Sequence, residues 1–129
     1  MKIEDFLYIV ETKKSFDDAI VSVLKAVEQK GWTIFSVYDI KERLAAKGFI
    51  QGKLKIIEIC SGKYANQFLN KNRLVSLCLP CKINVQEDDG KIRIIGMKPS
   101  MISEFFPEIK KEETLEAEKD IKEIIENSK

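Results

Sequence analysis

Three cysteines, Cys60, Cys78 and Cys81, carry the reactive side-chain chemistry of a 129-residue sequence that contains no histidine. Without imidazole, neither a Ser-His-Asp nor a Cys-His nucleophile system can be built within one chain. Histidine ligation of zinc, copper or haem is likewise removed. Cys78 and Cys81 stand in a Cys-Leu-Pro-Cys run. Thioredoxin-like redox sites use that spacing, but with the second cysteine in a helix, whereas the residues from 82 onward read as a strand. A zinc site needs four ligands. Three thiols at Cys60, Cys78 and Cys81 would therefore require a carboxylate or a second subunit to complete it. Residues three apart in a regular strand face opposite sides, so a joint Cys78–Cys81 site needs a bulge, which Pro80 permits.

Cys60 falls where a strand gives way to a helix. Helix starts carry partial positive charge and lower the pKa of a nearby thiol, and Lys63, one turn on, adds to that field. Cys60 is thus expected to be a partly ionised nucleophile, a ligand or a persulfide carrier. The plainer reading is a small residue buried in packing. If the end of the third strand adjoins the start of the fourth, Cys60 and Cys81 share one pocket, with Lys63 and Tyr64 beside them. Lys53, Lys55, Lys71, Arg73 and Lys82 could surround an anion. With no glycine-rich phosphate loop among them, a solvated face is the better reading.

The elements that position these residues follow from pattern. Residues 6–10 are a short apolar run with Tyr8 and β-branched residues, a first strand reaching about Thr12. Ser15 opens a helix with Asp17 and Asp18 in its first turn, Phe16, Ile20, Val23, Leu24 and Val27 form its apolar face, and Gly31 ends it. Residues 33–38 are a second strand. Asp39 and Glu42 cap a short helix over 40–47 that stops at Gly48. Residues 54–60 are apolar on both faces, a central strand. A helix follows over 63–70. Residues 74–80 read either as a strand or as an irregular buried connection. Ile83 and Val85 alternate with polar neighbours, and Asp89-Gly90 marks a type I′ hairpin returning to Met97. Residues 100–106 form a short helix. Ala117, Ile121, Ile124 and Ile125 stripe a last one.

The order β-α-β-α-β-α-β-β-α implies an α+β fold with a mixed β-sheet of about five strands and helices packed on it. Residues 1–107 are read as a single domain. Residues 108–129 are read as a C-terminal amphipathic helix packed on the body or on a second subunit. Apolar residues at 44% and charged residues at 33% specify a globular chain. A net charge of +1 gives no basic face for nucleic acid. No run of about 20 apolar residues is present to cross a membrane, and no secretory signal opens the sequence. The expected location is cytoplasmic, with reduced thiols. Abundant Lys, Glu and Ile with few Gln lean toward a thermophilic source.

Three pieces of the sequence resemble the family catalogued as domain of unknown function DUF302. They are a helix ending at Gly31 before TIFSVYDI (33–40), the run KIIEICSGKYANQFL (55–69), and LPCKINVQEDDGKI (79–92). The likeness covers about residues 15–98. Cys81 matches the cysteine that many members carry. Cys78 is an addition, and the family's turn proline is missing from Cys60-Ser61-Gly62-Lys63. The resemblance implies a compact α+β fold, commonly dimeric, with no established reaction. Residues and resemblance together predict a homodimeric binding domain that takes a small ligand, metal or sulfur species near Cys60 and Cys81. The alternatives are a thiol-dependent sulfur-transfer or redox protein, and a structural interaction module without a site. No cofactor follows from the residues.

Overall fold

The computed structural model describes residues 1–129. A single turn of helix, α1 (Ile3–Phe6), precedes strand β1 (Leu7–Thr12). Phe6 therefore belongs to that turn and not to the strand. Helix α2 (Phe16–Gln29) starts where Ser15 Oγ accepts the Asp18 N–H at 3.1 Å. It ends in a Schellman arrangement: the N–H of Gly31 (φ 83°) donates to Glu28 O and that of Trp32 to Val27 O. This left-handed step turns the chain sharply and points Trp32 into the core, where it is 6% exposed. Strand β2 (Thr33–Asp39) leads into α3 (Ile40–Ala45), capped by Asp39 Oδ1 on the Glu42 N–H at 3.0 Å.

Strand β3 (Leu54–Cys60), helix α4 (Gly62–Lys71), a 3₁₀ segment (Arg73–Cys78) and β4 (Cys81–Asp88) come next. The stretch 74–80 is thus a helical connection and not a strand. Asn72 sets its start by accepting the Leu74 N–H at 2.9 Å. Asp89 and Gly90 both have positive φ, 53° and 76°, as a type I′ turn requires, and return the chain into β5 (Lys91–Met97). Helices α5 (Met101–Phe105) and α6 (Lys111–Ser128) complete the chain.

The five strands form one sheet in the order β1-β5-β4-β3-β2, and all four pairings are antiparallel. The α+β class and strand number match the sequence reading, but the mixed pairing does not. The unit β1-α2-β2 does set two strands running the same way, as a parallel crossover would. These two strands occupy opposite edges, with three others between them, so no parallel neighbours arise.

Registered alternation sorts the sheet into two faces. Val10, Ile94 and Val85 lie in one row and Ile83 and Ile57 in the next, with Ile92 and Ile59 on the same face. Of these, Ile57, Ile59, Ile83, Val85 and Ile94 are 0% exposed. Helices α2 and α6 cover this face. They pack on each other and on the sheet, and Ala117, Ile121, Ile124 and Ile125 of α6 belong to the same core as Val23 and Val27 of α2. The C-terminal helix therefore packs on the body. Gly96 makes the approach close: a Cβ there would sit 2.7 Å from Ile125 Cδ1 and 3.2 Å from Ile121 Cγ2. Polar clips fix the layer at its margins. Tyr8 OH donates to Glu126, and Lys14 Nζ donates to Ser22 Oγ and to the Ser128 carbonyl.

The opposite face carries the row Ile9, Ile95, Asn84, Ile56 and Tyr38, flanked by Met97, Lys82 and Glu58. None of these residues is buried. No helix of the chain is long and apolar enough to cross a membrane.

Candidate functional site

The antiparallel register of β3 and β4 pairs Ile59 with Cys81, which places the last residue of β3, Cys60, beside the first residue of β4. The adjacency expected of these two thiols is therefore present. Cys60 and Cys81 line one crevice together with Trp32, Tyr64, Phe68 and Leu79. Its open volume is about 10 Å³, room for no more than a single water. Trp32 and Tyr64 close it, their rings 6.0 Å apart and tilted by 47°. Trp32 is held by its Nε1–H, which donates to Asp120 Oδ2 at 3.0 Å.

Cys81 also lines a second, larger cavity on its other side. This one holds about 100 Å³ and is walled by Cys78, Lys82, Met97, Met101 and Phe105 among others. The side chains reach it from four elements: Cys78 from the end of the 3₁₀ segment, Cys81 and Lys82 from the start of β4, Met97 from the end of β5, and Met101 and Phe105 from α5. Met101 is 7% exposed, whereas Met97 is 55% exposed and stands at the mouth. Sequence reasoning missed both methionines. No spacing rule singles out a thioether, and only the return of β5 beside β4 brings Met97 next to the cysteine pair.

All three cysteines are free thiols. Burial pushes the Cys60 thiol up from its ordinary pKa. The same cause, reinforced by the neighbouring Cys60 and Cys78 and opposed by Lys82, pushes Cys81 up to about 11. Burial thus works against the ionisation that a helix start was expected to give Cys60. Cys60 precedes Ser61, the residue that caps α4, and apolar neighbours penalise its thiolate more than the short helix favours it. Lys63 does not act on it either. Its ammonium lies 3.9 Å from Glu116 Oε2 and over the Tyr64 ring at 5.4 Å, three-quarters exposed. The Tyr64 hydroxyl is itself raised by burial and by the Asp120 and Glu116 carboxylates.

No group of three or more His, Cys, Asp or Glu side chains converges as a metal cage. Cys60 shares one recess with Cys81 and Cys78 the other, so the three thiols do not line one common space. Nor do the basic residues gather around an anion: Lys71 pairs with Glu113, and Lys82 stands opposite Glu58 in the sheet.

The family model for "Domain of unknown function DUF302" matches residues 8–128. Among solved structures, the crystal structure of an uncharacterized conserved DUF302 protein from Bacillus stearothermophilus superposes with a TM-score of 0.88 at 27% identity, covering 96% of this chain and 98% of that one. No curated protein matches.

Proposed function

From the premise that this chain belongs to the DUF302 family, we propose that it is a binding domain whose site is centred on Cys81, and that it takes a metal, a sulfur species or another ligand of a few atoms. The observation that carries this reading is the placement of Cys81 as the common wall of two adjoining recesses, with Cys60 behind it and Cys78 in front. The size of the ligand follows from the front cavity. Its volume of about 100 Å³ lies well below the roughly 300–1,000 Å³ of sites for drug-sized molecules. Tyr64 lines the recess behind beside Cys60, and Lys63 stays outside it, over the Tyr64 ring.

A sulfur-transfer or redox role would use a thiolate at neutral pH, and burial works against it at both Cys60 and Cys81. The binding reading needs no ionised thiol before the ligand arrives. Native mass spectrometry of untagged protein tests it. The expected result is a species heavier than the 14.8 kDa chain, or its dimer, whose extra mass disappears in Cys81→Ala. Bare chain mass in gently purified wild-type protein, with no metal by elemental analysis, would reject it.

The same reading makes the protein a homodimer closed on the open sheet face. Five strands about 4.8 Å apart and about 20 Å long give roughly 500 Å² in projection, and side-chain relief brings this toward the roughly 800 Å² per partner of a standard interface. Asn84 sits on the central strand at mid-face, and its Oδ1 is buried without a hydrogen-bond partner. An isologous contact would set two Asn84 side chains near a two-fold axis, at the middle of the face. Light scattering of Ile95→Lys should then give monomer where wild type gives dimer. A wild-type monomer at 100 µM would reject the dimer.

A further inference from the structure

The front cavity has a composition that the fold alone does not call for. Two thiols, Cys78 and Cys81, and two thioethers, Met97 and Met101, line one recess from four separate elements. Apolar cavities are filled most simply by Leu, Ile or Phe, and the rest of this core is built mainly of Ile and Val. Two cysteines and two methionines around a volume of about 100 Å³ offer a set of soft donors. Soft thiolate and thioether ligands suit Cu(I), zinc and iron–sulfur clusters, but zinc asks for four ligands in a tetrahedron and the clusters for four thiolates. With neither histidine nor a third converging thiol, the chain alone does not build a tetrahedral zinc cage. Cu(I) is satisfied by two or three sulfurs.

We infer that the recess between Cys78 and Cys81 is a Cu(I) site, with both thiolates as ligands and the buried Met101 thioether as a third. This rests on the reading that Cys81 is the centre of a binding site. Met97, at the mouth, shields the ion from water. Binding exchanges two S–H protons for the cation: one Cu⁺ and two thiols give a bis-thiolate complex of net charge −1 and two protons released to solvent. No electron is transferred. Lys82 borders the same recess, and its ammonium offsets the negative charge of the complex. Lys98 also borders it, but its ammonium donates to the Glu4 carbonyl at 2.8 Å. Cys60 lies behind Cys81 in the other recess and takes no part.

The test is an anaerobic titration of the untagged protein against Cu(I) held by a chromogenic chelator. Wild type is expected to take one equivalent per chain. Cys78→Ser and Cys81→Ser should each lose at least about 100-fold in affinity, the upper end of what even an outer-shell partner costs. Met101→Leu should lose about tenfold, the lower end of that range, and Cys60→Ser should stay within threefold. Should either cysteine variant fail to fold, alkylation of the wild-type protein gives the same information. Cu(I) must protect Cys78 and Cys81 and leave the Cys60 labelling rate unchanged. Equal protection of Cys60 and Cys81 with Cys78 left reactive would overturn the site, as would no competition with the chelator. If native mass spectrometry shows a ligand on Cys81 while the Cu(I) titration is blank, this inference fails and the binding reading stands. If neither shows one, both fail.

Discussion

Serine in place of Cys60 and Cys78 leaves Cys81 as the one thiol, and its reaction with a small aromatic disulfide then reports its environment alone. The two replaced neighbours each push its pKa up, but burial is the larger cause, so the upward shift should survive, with about 11 as its upper bound. At pH 8, a thiol at the ordinary 9.0 is about one-tenth ionised, and one at about 11 is about one-thousandth ionised. That is a hundredfold loss of thiolate. A more basic thiolate is also a better nucleophile. A Brønsted coefficient of about 0.4–0.5 over that interval returns about six- to tenfold. The net prediction is a rate about 10–15 times below that of the same thiol in urea-unfolded chain, before any steric shielding. The pH profile should be steeper evidence than the rate. The logarithm of the folded-state rate should climb linearly past pH 10, while the unfolded reference bends over near pH 9. A folded-state profile that levels off below pH 9.5, or a rate equal to the unfolded one at pH 8, would refute the claim that burial holds this thiol neutral.

The same raised pKa links stability to pH. A folded thiol that holds its proton more tightly than the unfolded one binds more protons as pH rises. Its contribution is full below about pH 9 and is lost between about 9 and 11, worth roughly 2–3 kcal/mol; urea melts of wild type minus Cys81→Ala should show that decline. Gly96→Ala should destabilise by about 1–3 kcal/mol through overpacking against Ile125. Ile125→Val removes the offending Cδ1, so the double variant should cost less than the sum, with a coupling of at least about 0.5 kcal/mol; strict additivity would deny the clash. Truncation after residue 107 removes four core residues of α6 that are at most 2% exposed, and the product should show no cooperative thermal transition. A folded fragment would mean that the core is complete without the helix.

Much of the architecture was legible because its signals are local. The Ser15 cap, the Gly31 stop and the Asp89-Gly90 turn each depend on one or two residues adopting a particular backbone geometry, and each is found as read. The error over parallel pairing had the opposite origin. The pattern of β1-α2-β2 tells which way the strands run but not how many others are inserted between them. At the site, the neighbourhood of Cys60 and Cys81 could be guessed from two element ends. The protonation of the thiols could not, since it depends on Trp32, Tyr64 and Phe68 arriving from distant positions to exclude water. Met97 and Met101 were invisible for the same reason. Their meaning lies in their company, which only the closed chain assembles.

The placement of β1 and β2 on opposite rims has a consequence for synthesis. The inner three strands are supplied by one stretch of chain, residues 54–97, and both outer strands by the part translated before it. At about 5–20 residues per second, the leading 53 residues leave the ribosome roughly 2–9 s before the middle of the sheet is finished. During that interval α2, with its cap and its stop, carries the strongest local signals of the early chain, but its apolar face has no sheet to pack on. The edges wait for a template that is still being made, and β1, whose partner is the last strand translated, waits longest.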